Sequence, residues 1–162
     1  MLTRYASLAV FLALVVAASF VAGSFEAGEW YYHKLTRPRW TPPGWLFGAA
    51  WSVLHVLAAL AAWQIWLSGH PARRRALAWW ALLQLLNVGW AVLFFGIHRI
   101  GWAWFELGLA IVAAALCIHR FHQLSQRAAY LMVPYLLGLV FACVLNFAMW
   151  TLNGGSLTRL LP

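Results

Sequence analysis

The feature that most constrains this chain of 162 residues is a set of five long stretches that carry almost no charge. Each has about 20 residues, the length a helix needs to cross the roughly 30 Å hydrocarbon core of a bilayer. Lipid offers backbone groups no partners, and uniform apolar runs favour helices over a barrel. The sequence therefore predicts an all-α membrane protein, a compact bundle of five transmembrane helices at about 5–25, 45–67, 76–97, 101–120 and 129–153.

These helices leave little chain for a soluble domain, so we expect a single membrane domain over residues 1–162. The connections are short except residues 26–44, which contain Pro38, Pro42 and Pro43. Proline removes a backbone donor and favours extended geometry in the residue before it, so this loop should be a stiff lid. The first stretch also allows a cleaved signal peptide, although its uncharged run of about 21 residues exceeds the usual apolar core of about 7 to 15.

Composition narrows the classes of function. The chain is 65% apolar and 9% charged, whereas about a quarter of a soluble domain is charged. Three acidic residues against 11 Lys and Arg leave few carboxylates for acid-base or metal chemistry. The bases are scattered between apolar runs, which fits juxtamembrane anchoring better than nucleic-acid binding. Cys117 and Cys143 form no disulfide or metal pattern, so we expect no metal site and no intrinsic cofactor.

The apolar composition of a membrane protein does not by itself account for the 12 tryptophans of this chain. Indole rings collect at membrane interfaces, and this accounts for Trp30, Trp40, Trp45, Trp63, Trp66, Trp79, Trp80, Trp102 and Trp104. Trp51 and Trp90 lie deeper, where the indole N–H needs a partner or a ligand. Asn87 shares a helical face with Trp90, and Asn146 lies four residues before Trp150. The residues alone leave helix packing and a binding cavity as two open interpretations.

Two titratable residues within the stretches are candidates for other chemistry. Glu106 is an intramembrane carboxyl group, a default candidate for proton transfer. It lies about 7 Å from its helix start, so a structural or interfacial role, or a pairing with Arg99, is favoured. His55 alone among the histidines lies near the middle of a stretch, which argues against a bis-histidine haem.

Several motifs of unusual residues occur in order along the chain. The first loop contains Tyr31-Tyr32, Leu35, Arg37-Pro38-Arg39-Trp40-Thr41-Pro42-Pro43-Gly44-Trp45 and then Trp51. The third to fifth helices contain Asn87-x-x-Trp90-x-x-x-Phe94-Phe95-Gly96, Gly101-Trp102, Val133-Pro134-Tyr135-Leu136 and Leu145-Asn146-x-x-x-Trp150. Over about residues 15–153 the chain resembles the tryptophan-rich sensory protein family, the bacterial relatives of the mitochondrial translocator protein or peripheral benzodiazepine receptor.

The resemblance implies a five-helix protein, commonly a homodimer, whose cavity binds porphyrins such as protoporphyrin IX or haem as ligands. By matching position, it implies cavity residues Trp51, Asn87, Trp90, Trp102, Phe141, Ala142 and Asn146, with Arg37, Arg39, Trp40 and Trp45 in or near the lid. It further implies a sensor or regulator tied to tetrapyrrole levels, oxygen, light or stress. The alternatives are a light- and oxygen-dependent porphyrin-degrading enzyme, in which Trp51 would act, and a transporter of porphyrins or other apolar ligands.

The chain departs from the family pattern at several of these positions. Gly138 replaces a tryptophan that commonly forms an aromatic wall, and His55 replaces a tyrosine. The family glutamine before Asn87 falls on Leu83, with Gln84 displaced by one residue. The animal cholesterol motif lacks its tyrosine and its base here, so cholesterol is not an expected ligand, and Gly138 argues against tight binding of drug-like ligands.

Overall fold

The computed structural model describes residues 2–25 and 28–155, except for the side chains of residues 2 and 3. Its five helices are α1 (Leu2–Gly23), α2 (Gly44–Leu67), α3 (Arg73–Ala91), α4 (Ile100–His122) and α5 (Gln126–Leu152). One π-helical turn, Val92–Gly96, continues α3, and another, Trp30–Lys34, lies in the first loop. Five spans are long and apolar enough to cross a membrane, which confirms the predicted all-α membrane fold.

The helices form a closed ring in the order α1, α2, α5, α4, α3. In this ring α5 packs most extensively against α4 and also contacts α2, while α3 packs against α4 and α1. Alanines fill the centre, and Ala58, Ala62 and Ala114 have no exposed surface. Small side chains let helix backbones approach closely, which is the main source of packing energy between helices in lipid.

The two ends of the bundle differ in charge. One end, which we call the lid end, comprises the first loop and the adjoining ends of all five helices. The opposite end, the basic end, carries Arg4, Arg73, Arg74, Arg75, Arg120 and Arg127. Of the acidic residues, Glu29 lies in the first loop, Glu106 lies in the lid half of α4, and Glu26 lies outside the described residues. The described part of the basic end therefore has six arginines and no carboxylate side chain.

Two sequence-based expectations need correction. Helix α3 begins at Arg73 rather than near residue 76, because long basic side chains can extend to the interface from the first turn of a helix. Trp30 and Trp80 are buried, with exposed fractions of 8% and 3%, rather than interfacial. The ring of Trp80 packs edge-to-face on Phe11 at 5.5 Å. Position along a helix predicts membrane depth, but it does not predict which face the helix turns towards the bundle.

Candidate functional site

The first loop is held against the bundle by a buried tryptophan. The ring of Trp30 stacks on His98 with a centroid distance of 4.0 Å and an interplanar angle of 7°, and its edge meets Phe94 at 5.8 Å. His98, which lies between α3 and α4, has a positive φ of 55°. Burial, aided by the nearby Lys34 charge, lowers the pKa of His98 from its ordinary value. The neutral imidazole is therefore the form that suits this stack.

A second attachment joins the loop to the end of α5. The Thr36 backbone N–H donates to Asn153 Oδ1 at 3.0 Å, and Asn153 Nδ2 donates to the Thr36 carbonyl at 2.8 Å. Asn153 Nδ2 also donates to the carbonyl of Met149 at 2.6 Å. One asparagine thus links residues 117 positions apart in the chain. Together with the Trp30 stack, it fixes the loop as a lid over the end of the bundle.

Directly beneath the lid lies a cavity of about 250 Å³, which we call the lid cavity. Its walls are predominantly aromatic and apolar and come from the lid, α2, the end of α3 and α5: Tyr31, Tyr32, Thr41, Pro42, Gly44, Phe47, Gly48, Trp90, Phe94, Phe95, Ala142, Leu145, Asn146 and Met149. The Arg37 guanidinium lies over the rings of Tyr31 and Tyr32, at 4.9 and 5.5 Å from their centroids. A positive charge therefore lies against two residues of the cavity wall.

A second cavity of about 300 Å³, the inner cavity, extends from there towards α1. It shares Phe47, Gly48, Trp90, Phe95 and Ala142 with the lid cavity. The remaining walls are Ser19, Ala22, Gly23, Trp51, Ser52, His55, Asn87, Ala91 and Leu107. Because the two cavities share five wall residues, they are neighbouring compartments of one site between the helices.

A line of polar side chains crosses the inner cavity from α1 to α3. Asn87 Nδ2 donates a hydrogen bond to His55 Nε2, so the ring proton of a neutral His55 is assigned to Nδ1. That nitrogen lies 3.4 Å from Ser19 Oγ. Trp51 lies one helical turn before His55, and the centroids of their two rings are 5.7 Å apart. The amide predicted to be a ligand contact thus pairs with a histidine, while both remain in the cavity wall.

The shared wall is braced by a second buried amide. Trp90 Nε1 donates to Asn146 Oδ1 at 3.1 Å, and Asn146 Nδ2 donates to the carbonyl of Ile100 at 2.8 Å. The Trp90 ring also stacks on Phe94 at 5.1 Å and 24°. Asn146 is 1% exposed, so this arrangement joins α3, α4 and α5 inside the bundle and fixes the orientation of the indole.

A model of the TspO/MBR family matches residues 9–151 of the chain. The chain belongs to the TspO/MBR family. It is 32% identical over 152 residues to protein CrtK of Rhodobacter capsulatus, a match that covers 91% of this chain and 93% of the relative. It is 34% identical over 143 residues to a tryptophan-rich sensory protein of Cereibacter sphaeroides, covering 88% and 89%. It is 35% identical over 141 residues to the human translocator protein, covering 84% and 83%.

These matches confirm the family that the motifs indicated, and with the five spans they establish a multi-pass integral membrane protein. The structure brings five of the family-implied cavity residues into the two cavities: Trp51, Asn87, Trp90, Ala142 and Asn146. Across residues 2–25 and 28–155, no three His, Cys, Asp or Glu side chains are grouped closely enough to hold a metal ion. The two cavities are lined mainly by aromatic and apolar side chains, and their polar wall residues include two amides, three aliphatic hydroxyls and one imidazole: Asn87, Asn146, Ser19, Thr41, Ser52 and His55.

The other family-implied residues lie outside the cavity walls. Trp102 is 52% exposed on the outer face of α4 and lies near Phe105, at 6.2 Å. Phe141 is 42% exposed, and its ring meets the ring of Trp40 from the lid at 6.0 Å. Trp45 is 74% exposed, and Arg39 is also exposed. Of the four lid residues that the resemblance implied, Arg37 is the one in contact with the cavity wall, through Tyr31 and Tyr32.

Several wall residues were absent from the family-implied set, among them Tyr31, Tyr32, Phe47, Phe94 and Phe95. Four of these five belong to the motifs that carried the resemblance, so the paired aromatics were a usable signal. At Gly138 no aromatic wall is present. An added Cβ would lie 2.6 Å from Leu54 Cδ1, so a leucine from α2 occupies the adjacent space. Gly138 itself lines neither the lid cavity nor the inner cavity.

Three buried polar side chains near the centre of the bundle have no hydrogen-bond partner among the described residues: Gln84, Glu106 and Tyr135. Glu106 is 9% exposed, and its Oε1 lies 4.0 Å from where a Cβ on Gly89 would be. The carboxyl group therefore faces α3 inside the bundle, so of the structural and interfacial roles expected for Glu106 the burial favours the structural one. Helical phase, rather than depth, decides this orientation.

Proposed function

We propose that this TspO/MBR family member binds a tetrapyrrole, such as protoporphyrin IX or haem, in the combined lid and inner cavities and acts as a membrane sensor or regulator. The observation that carries the proposal is the pair of adjoining cavities, of about 250 and about 300 Å³, with a shared wall of Phe47, Trp90 and Phe95. Small-molecule sites usually have volumes of about 300 to 1,000 Å³ and are mostly apolar with a few polar groups. The inner cavity alone reaches the lower limit of that range, and a ligand of porphyrin size would need both cavities.

The chemistry of the walls supports a flat, apolar ligand with carboxylates at one edge. Ring faces such as those of Trp90 and Phe95 can stack on an aromatic macrocycle. Arg37 lies against the lid cavity, where a guanidinium can form a charge-assisted pair with a propionate. The macrocycle would then extend inward, and its carboxylates would stay beneath the lid. The names of two relatives, tryptophan-rich sensory protein and translocator protein, are compatible with ligand binding within the membrane.

Gly48 offers a direct test, because it lines both cavities and an added Cβ there would meet no atom within 4 Å. Gly48→Phe should place a ring in the shared space without straining α2. If it displaces about 60 Å² of apolar ligand surface, the loss is about 1.5 kcal/mol, or about tenfold in Kd. The measurement is a titration of the purified protein with protoporphyrin IX, followed by quenching of tryptophan fluorescence.

Gly108→Phe is the matched control, since Gly108 is also a helical glycine with no atom within 4 Å of an added Cβ, and it lines neither cavity. We expect its Kd to equal that of the unmodified protein. Trp51→Phe should retain binding but lose part of the quenching. Absence of saturable quenching, or equal Kd values for Gly48→Phe and Gly108→Phe, would refute a specific site.

A second candidate function is light-dependent oxidation of the bound porphyrin. The observation that favours it is that two indoles, Trp51 and Trp90, line the same inner cavity. The excited porphyrin would lose electrons and dioxygen would accept them, with the indoles as one-electron relays between the two. Activity should then need both light and oxygen and should fall in Trp51→Phe. Equal product formation in the dark, or with free tryptophan in micelles, would eliminate this candidate.

A further inference from the structure

A third cavity of about 350 Å³ lies at the basic end, between the start of α3 and the end of α4. We call it the basic-end cavity, and its principal walls are Arg75, Ala76, Trp79, Arg120, Gln123 and Leu124. It shares no residue with the lid cavity or the inner cavity. The basic end therefore has a concave site that is separate from the two cavities at the lid end.

Two arginines from different helices line this cavity. Arg75 belongs to the first turn of α3, and Arg120 belongs to the last turn of α4. Neither has an acidic partner among the described residues, since Glu29 lies at the lid end and both carboxyl oxygens of Glu106 are unpartnered. By contrast, the neighbouring Arg73 is engaged, because it donates to the Trp66 carbonyl at 2.9 Å. Arg75 and Arg120 thus present uncompensated positive charge to an open cavity.

The rest of the wall is suited to a lipid rather than to a small inorganic anion. Trp79 is half-buried and Leu124 is partly buried, so the arginines adjoin an apolar surface at the depth of a membrane interface. Gln123 Nε2 pairs with His119 Nε2 at 3.1 Å, which leaves Gln123 Oε1 to accept a hydrogen bond from a headgroup hydroxyl. Basic pockets between transmembrane helices are recognition sites for anionic lipid headgroups.

We propose that the basic-end cavity binds an anionic glycerophospholipid whose headgroup carries hydroxyl groups, of the phosphatidylglycerol type. Arg75 and Arg120 hold the phosphodiester, and Gln123 accepts from the glycerol headgroup. Trp79 and Leu124 contact the glycerol backbone and the upper acyl chain. The site anchors the basic end in an anionic leaflet, and it is independent of the ligand site beneath the lid.

The test compares lipid binding by purified full-length variants in a mild detergent. Dimyristoyl phosphatidylglycerol is added, and bound lipids are counted by native mass spectrometry, with the shift in Tm as a second readout. Each arginine near a membrane surface contributes about 1 kcal/mol to anionic-lipid binding. The double variant Arg75→Gln/Arg120→Gln should therefore bind this lipid about thirty-fold more weakly.

Arg74→Gln is the matched control, because Arg74 lies beside Arg75 on α3 but does not line the cavity. We expect Arg74→Gln to keep its affinity within about threefold, and the double variant to keep its protoporphyrin Kd, which also shows that it is folded. A loss of about fivefold in Arg74→Gln, equal to the loss in Arg75→Gln alone, would overturn the proposal in favour of diffuse attraction. Equal binding of dimyristoyl phosphatidylcholine, or equal stabilisation by inorganic phosphate alone, would overturn the assignment to an anionic lipid.

Discussion

The buried amide Asn146 allows the sharpest test of how this bundle is held together. Its side chain makes two hydrogen bonds, from Trp90 Nε1 and to the carbonyl of Ile100, and is 1% exposed. Hydrogen bonds between transmembrane helices contribute about 0.6 kcal/mol on average and about 1.7 at most. Two such bonds, together with an indole N–H left unpartnered, give an expected loss of about 1 to 3 kcal/mol for the near-isosteric Asn146→Leu.

Gln84 provides the contrast, because it is a buried amide in the same bundle, 7% exposed, whose side-chain atoms have no partner among the described residues. Replacing an unpartnered polar group by an apolar one of similar shape is close to neutral or stabilising. We therefore expect Gln84→Met to change the free energy of unfolding by less than about 0.5 kcal/mol.

The assay is reversible unfolding in mixed micelles by increasing the fraction of sodium dodecyl sulfate, followed by far-ultraviolet circular dichroism. Tryptophan fluorescence is unsuitable here, because Asn146→Leu alters the surroundings of Trp90 directly. If Asn146→Leu proves as stable as the unmodified protein, or if Gln84→Met loses as much, then hydrogen bonding does not distinguish the two amides and the reasoning fails.

Three further predictions concern the lid and the contact between Gly138 and Leu54. Asn153→Ala removes both exposed hydrogen bonds to Thr36, each worth about 0.5 to 1 kcal/mol, so proteolytic cleavage in the lid should accelerate about five- to thirtyfold. Gly138→Ala should destabilise by about 1 kcal/mol because of Leu54, and a double-mutant cycle should show that Leu54→Ala removes most of this cost. Because burial lowers the pKa of His98 in the folded protein, His98 of the unfolded chain becomes protonated at a higher pH than His98 of the folded chain. Stability should fall as the pH drops below about 6.5, and unfolding curves of His98→Phe should lack that part of the pH dependence.

The sequence predicts the helices well because lipid imposes a length and forbids charge in the spans. The helix starts were less accurate, as at Arg73, because arginine side chains can extend to the interface from inside a helix. The common face of Asn87 and Trp90 follows from their spacing, and both line the inner cavity. What spacing could not supply is the partner of Asn87, which is His55 from another helix.

Orientation about the helix axis explains most of the remaining differences. Trp102 belongs to a family motif but faces outwards on α4, with Phe105 and Leu109, which are also exposed. Glu106, one turn from Trp102, faces α3 and is buried. A nearly uniform apolar helix gives no signal for which side meets protein and which meets lipid. The rotation of each helix about its axis is set by contacts with helices that are distant in the sequence. Those contacts cannot be identified from a single sequence.

The central claim is that the two cavities beneath the lid hold a tetrapyrrole in the native membrane. The most direct measurement is the absorbance spectrum of protein extracted gently from its own membranes, with mass spectrometry of the released pigment. We predict a band in the porphyrin Soret region at near-stoichiometric amount, retained in Gly108→Phe and strongly reduced in Gly48→Phe. A colourless native protein, or an equal pigment content in Gly48→Phe and Gly108→Phe, would contradict the claim.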